Sequence, residues 1–117
     1  RDEQHDVSWL ACAFESTSDA HAGAAETSVM LHLAPSLVDM SRAAPGQLAP
    51  LSDLMAALQS NGVRAVSESG VLGDPTAASS AQGAELMEWL VVDGAARIRL
   101  PRLDDRGHLV ASSVGAT

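Results

Sequence analysis

His21 and Glu26 are the residues in this chain whose types and spacing best suit chemistry. They lie five positions apart in the run Asp-Ala-His-Ala-Gly-Ala-Ala-Glu-Thr-Ser, residues 19–28. Imidazole changes its charge between about pH 5 and 8, so it can take up and release a proton near neutrality. The small neighbours Ala20, Ala22, Gly23, Ala24 and Ala25 leave room for a ligand or metal to approach His21. Gly23 has access to backbone angles closed to other residues. An apolar run, Val29–Leu33, follows and Pro35 stops it. This pattern reads as a tight loop feeding the first turn of a short helix, with Glu26 near its positive end. The competing reading is a small-residue loop carrying a solvated histidine and a helix-starting glutamate.

The other titratable groups carry weaker signals. His32 falls inside the apolar run and reads as a packed or half-exposed helix residue, whereas His5 and His108 lie in polar surroundings and read as solvated. Cys12 is the chain's single cysteine and stands in an apolar run, which suits packing rather than nucleophilic chemistry. One cysteine also rules out an internal disulfide and fits a reducing compartment.

The elements that must position the His21 loop alternate. Residues 7–14, Val-Ser-Trp-Leu-Ala-Cys-Ala-Phe, form a near-continuous apolar stretch that reads as an interior parallel strand with Trp9 in the core. The polar residues 1–6 before it read as the tail of a preceding helix. A helix is expected over 25–33, then a loop over 34–50 with Pro35, Pro45, Gly46 and Pro50. Leu51, Leu54, Met55 and Leu58 repeat with helical spacing over 51–60, and Asn61-Gly62 ends that helix. Val63–Val66 suits a short strand. Gly70, Gly73, Asp74 and Pro75 shape a turn. Ser79 and Gln82 have the spacing of a capping box for a last helix over 79–92, weakened by Gly94 and ended by Pro101. Leu54, Leu58, Leu86 and Leu90 are expected to face inward, and Trp89 to lie at a subunit contact. Residues 102–117 read as a loose tail.

Composition sets the bounds. A chain of 117 residues is enough for one small domain. It is 46% hydrophobic but 3% aromatic, so Ala, Val, Leu and Met must build its core. A formal net charge of -8 argues against nucleic acid or an anionic membrane surface as partner. No apolar run approaches the roughly 18 residues of a membrane span. No secretory leader is legible, and a cytoplasmic location is the expectation.

Two stretches then combine. His21-Ala22-Gly23, Glu26-Thr27-Ser28 and Met30-Leu31 follow the pattern HxGxxETSxML, which resembles the creatininase family. The segment Ala65–Gly83, which contains Gly-Val-Leu-Gly-Asp-Pro, is similar to that family's C-terminal segment, where the same turn precedes the last helix. The resemblance covers about residues 7–92 and looks closest to a branch of peptidases acting on a small precursor peptide.

The resemblance implies the C-terminal half of a three-layer α/β/α fold with a mainly parallel sheet, over residues 1–101. It implies a metal-dependent hydrolase of amide or peptide bonds, using a divalent metal (zinc, iron or manganese). Most of the family's ligands lie in an N-terminal half, in a Glu-x-His pair, an Asp and a Gly-His-Gly-Gly-Asn loop. None of these motifs occurs here, so no metal ligand is assigned within this chain and the chain alone is expected to be inactive. His21 matches the family's proton-shuttling histidine. Glu26 would support the metal site by orienting a ligand or by direct coordination, and Asp19 and Gly23 would contact substrate. Creatininase itself has Glu where this chain has Ala20, which points away from creatinine towards a peptide or another amide. The missing N-terminal half and a second copy of the chain are the expected partners. Two alternatives stand beside the enzyme: a non-catalytic remnant that only associates, and a small α/β binding module without metal chemistry.

Overall fold

The computed structural model describes residues 8–11 and 19–111. Three α-helices follow one another: α1 at Ala24–Leu33, α2 at Leu51–Asn61 and α3 at Ser80–Arg99. Single 3₁₀ turns occupy Pro35–Leu37, Met40–Arg42 and Val63–Ala65. The chain divides into two compact units, residues 14–87 and residues 1–13 with 88–117.

The parallel sheet expected from the sequence is not found. Among the described residues there is no strand, only isolated β-bridges pairing Trp9 with His108, His21 with Leu72 and Leu103 with Leu109. Trp9, expected in the core, is 60% exposed. An unbroken apolar run states only that a segment avoids water. It becomes a strand when neighbouring strands satisfy its backbone along its length. Here Trp9 is satisfied by one segment, accepting from Leu109 N–H at 2.7 Å and donating to the Gly107 carbonyl at 3.0 Å. Residue 7 and residues 12–14 of that run, including Cys12, lie outside the described residues, as does His5. Val63–Val66 is likewise no strand. Gly62 adopts φ +75° at the end of α2, and the chain tightens at once into the turn Val63–Ala65.

Among the described residues of the 14–87 unit, backbone segments approach one another closely. The unit's buried apolar residues include Ala25, Leu54 and Leu72, while Leu58 is half-buried. Among the described residues, the fully buried side chain is a serine, Ser28 of α1. Its hydroxyl donates to Gln82 Oε1 at 3.1 Å and accepts from the Ser79 N–H at 3.0 Å. Ser79 Oγ in turn accepts from the Gln82 N–H at 3.2 Å. One half of the expected capping box is therefore present, and Ser28 takes the other half's place, so a buried hydroxyl meets no unpaired desolvation cost. Gly83 lies against the Ser28 carbonyl and the His32 Cβ, and a side chain there would overlap that carbonyl.

In the other unit α3 runs on through Gly94, where a Cβ would sit 3.5 Å from Leu10, and continues to Arg99, just before Pro101. Arg97 pairs with Asp93 at 2.8 Å and donates to the Leu109 carbonyl at 3.4 Å. Residues 102–110 fold back on themselves, with Val110 N–H donating to the Arg102 carbonyl at 2.9 Å. Trp89 is 40% exposed. Among the described residues, no helix is long and apolar enough to cross a membrane.

Candidate functional site

His21 and Glu26 come together. His21 Nδ1 lies 3.3 Å from Glu26 Oε2, with side chains 61% and 50% exposed. The same Glu26 oxygen accepts the Ala22 N–H at 2.6 Å, which pins the carboxylate towards the histidine. Glu26 stands in the first turn of α1, where the helix dipole also favours its charge.

The histidine itself is held by its backbone. Ala20 and His21 donate to the Leu72 carbonyl at 2.9 and 3.1 Å, and Leu72 N–H returns to the His21 carbonyl at 2.9 Å. Residues 71–73 are laced on their other side as well. Gly46 donates to the Gly73 carbonyl at 2.9 Å and Gln47 to the Val71 carbonyl at 3.0 Å. Two of the sequence's turn glycines thereby gain a reason beyond the turn itself. A Cβ at Gly46 would overlap the Val71 carbonyl, and one at Gly73, whose φ is +156°, would overlap the Asp19 carboxylate.

Asp19 faces inward. Its Oδ2 accepts the Ala24 N–H at 2.6 Å, the first amide of α1, and its Oδ1 accepts the Asp74 N–H at 3.4 Å. Gly23 is the helix N-cap and offers no side chain of its own, so Asp19 caps the helix from outside. A Cβ on Gly23 would collide with the Asp19 carboxyl group. Gly23 is therefore required for space. Its backbone is in the extended region, and the left-handed residue is its neighbour Ala22, at φ +54°. A left-handed alanine is uncommon and carries strain, a feature concentrated at sites of function. The sequence points to Gly23 as the unusual backbone position, and a left-handed alanine leaves no compositional trace.

Asp74 shapes the turn as expected. Its carboxylate accepts the Thr76 hydroxyl at 2.6 Å and the Thr76 N–H at 2.9 Å, and these bonds, the hydroxyl's first, hold Asp74 below the usual carboxylate range. His32 is exposed on α1. His108 is paired elsewhere, with Asp104 at 3.2 Å.

Among the described residues, no three His, Cys, Asp or Glu side chains converge to hold a metal ion. Asp19 is engaged with backbone amides, and His21 with Glu26 supplies two donor side chains where a metal site takes three or four protein ligands. These residues by themselves do not fit a metal centre. They make a solvent-facing histidine, with a carboxylate 3.3 Å from its Nδ1, on a loop whose backbone is fixed at both ends.

Comparison with known proteins agrees with the family resemblance. The creatininase (creatinine amidohydrolase) family profile matches residues 2–98, and the chain belongs to that family. It is similar to the mycofactocin precursor peptide peptidase of Mycobacterium ulcerans, 45% identical over 98 residues, which are 84% of this chain and 39% of the relative. The protein of the same name from Mycolicibacterium smegmatis is 43% identical over 109 residues, 93% of this chain and 44% of the relative. That from Mycobacterium tuberculosis is 44% identical over 98 residues, 84% of this chain and 39% of the relative. The chain thus spans about two fifths of the length of the curated relatives it matches. No solved structure matches it significantly.

Proposed function

We propose that this chain forms the part of a peptide amidohydrolase that carries the proton-transferring histidine, and that the complete enzyme cleaves an amide bond in a small precursor peptide of the mycofactocin type. The observation that carries this reading is the His21–Glu26 contact, with Glu26 pinned by the Ala22 amide. Family membership and the names of the relatives support the reaction class.

The geometry sets the roles. With the proton placed on Nδ1, 3.3 Å from the Glu26 carboxylate, the free lone pair of the imidazole lies on Nε2, the nitrogen turned away from that contact. Nε2 takes a proton from the attacking water as its oxygen adds to the scissile carbonyl. Glu26 stabilises the imidazolium that forms. The same nitrogen then hands the proton to the leaving amine as the C–N bond breaks. Asp19 and Gly23 hold the loop's shape beneath the substrate, Asp19 through the Ala24 and Asp74 amides. A divalent metal, which the family resemblance implies, belongs in this reading to ligands outside the described residues.

The test joins this chain to the part of the M. smegmatis relative that it does not cover and follows precursor-peptide cleavage by mass spectrometry. His21→Ala should lower the rate on the order of 100-fold or more. An unchanged rate overturns the assignment.

A further inference from the structure

Within the 14–87 unit a pocket of about 310 Å³ opens beside the His21 loop, one peptide bond from the histidine at Ala22. Its apolar walls come from Val38, Met40, Ala43, Val71 and Pro75. Ligand pockets run from roughly 300 to 1,000 Å³, so this one stands at the small end of the range and suits a small apolar group. Its two charged lining residues, Asp39 and Arg42, are opposite in sign and leave no net charge to select a charged group. The Asp39 carboxylate is already engaged, accepting the Ser41 hydroxyl at 2.6 Å and the Ser41 N–H at 3.1 Å. The lining is also tied to the site. Val71 belongs to the laced segment whose next residue, Leu72, pairs with His21. On the far side, Gly46 and Gln47 tie the chain that follows Ala43 to the same segment. Pocket and histidine therefore share one backbone framework.

From this we infer that the Val38–Met40–Val71 pocket receives the apolar side chain of the substrate residue next to the scissile amide, and so sets the enzyme's preference at that position. The inference rests on the amidohydrolase reading for its role, while the pocket's ligand chemistry is testable without catalysis. Ala43, on the wall, is the residue whose enlargement should close it.

The experiment is a ¹H–¹⁵N NMR titration of the 117-residue chain with N-acetyl-leucinamide and, separately, N-acetylglycinamide. The leucine probe should shift the Ala22, Val38, Met40, Ala43 and Val71 amides and bind about tenfold more tightly than the glycine probe, the worth of burying part of a leucine side chain. Ala43→Leu should abolish the preference in a chain whose spectrum otherwise stays dispersed. His21→Ala should retain it. Equal shifts with both probes, or leucine shifts lying outside these residues, overturn the pocket assignment whatever the variants do. In the joined enzyme, Ala43→Leu should raise KM for a peptide with a bulky residue at the cleavage position and spare one with glycine there. If His21→Ala leaves hydrolysis intact while the leucine preference persists, the catalytic reading falls and the pocket stands. If the rate collapses but the preference is absent, the pocket falls and the catalytic reading stands.

Discussion

Among the described residues stand two histidine–carboxylate pairs of nearly the same length: His21–Glu26 at 3.3 Å in one unit and His108–Asp104 at 3.2 Å in the other. Distance does not separate them, but their surroundings do. The Asp104 carboxylate accepts the Arg106 and His108 amides, both at 2.9 Å, so it is the acceptor of a local turn, and the imidazole contact adds to that turn. The backbone bond from His108 is the first cause holding Asp104 below the usual carboxylate range. The His21 pair lies on a loop paired with Leu72, beside a left-handed alanine and an apolar pocket. A histidine near a carboxylate is thus a common product of turn chemistry. Both histidines are bridged to a distant segment, His21 to Leu72 and His108 to Trp9, so what sets His21 apart is the left-handed Ala22 and the adjoining pocket.

The largest expected contrast is in rate. In the joined enzyme, His21→Ala should cost on the order of 100-fold or more in peptide hydrolysis. His108→Ala should leave the rate within about twofold, since surface substitutions away from a site have small effects. A comparable loss at His108 would erase the distinction between the pairs.

Packing gives the next contrast. Gly23→Ala places a methyl group on the Asp19 carboxyl carbon, and overpacking of this kind costs about 1–3 kcal/mol. Gly62→Ala, at φ +75° with open space where its Cβ would sit, meets only a left-handed penalty of about 1–2 kcal/mol. Urea unfolding of the two variants should rank them in that order, and a reversed order would show that Asp19 is not fixed against Gly23.

Acid sharpens the turn's side of the comparison. A carboxylate whose folded pKa is depressed contributes stability above its unfolded pKa, and that contribution is lost as pH falls through the folded value. For Asp104, protection of the Arg106 and His108 amides should therefore persist at neutral pH and disappear as pH drops below the ordinary carboxylate value of about 4. Hydrogen exchange against pH measures it. Protection that outlasts protonation would mean the backbone turn holds without its carboxylate.

The smallest effect belongs to Ala22. Ala22→Gly removes the left-handed strain but adds freedom to the unfolded chain, so stability should change by less than about 1 kcal/mol. Ala22→Val should be clearly worse, because a β-branched residue at positive φ is a true outlier. Equal tolerance of both would show that the loop does not depend on this geometry.

Much of the local structure was legible in residue order. The helix around Glu26, the helix ended by Gly62, the 70–76 turn and the Ser79 cap each follow from signals spanning about one turn of chain. Such signals act between near neighbours and need no partner from elsewhere. The proximity of His21 and Glu26 belongs with them, since five residues around a helix start bring the two side chains within reach.

What the tertiary structure alone decided depends on partners far apart in the chain. Ser28 is fully buried, its hydroxyl satisfied by Ser79 and Gln82, 51 and 54 residues away. Asp19 turns inward because the Asp74 amide, 55 residues on, and the bare face of Gly73 make a place for it. Trp9 is exposed although it stands in a largely apolar run, because hydrophobicity states a preference for burial and not the surface that will provide it. Residue types and short spacings set the loop's chemistry. Its backbone strain, its inward carboxylate and the pocket beside it arise only when residues 19–23, 38–47 and 71–75 are brought together, since each of these features is a relation between segments.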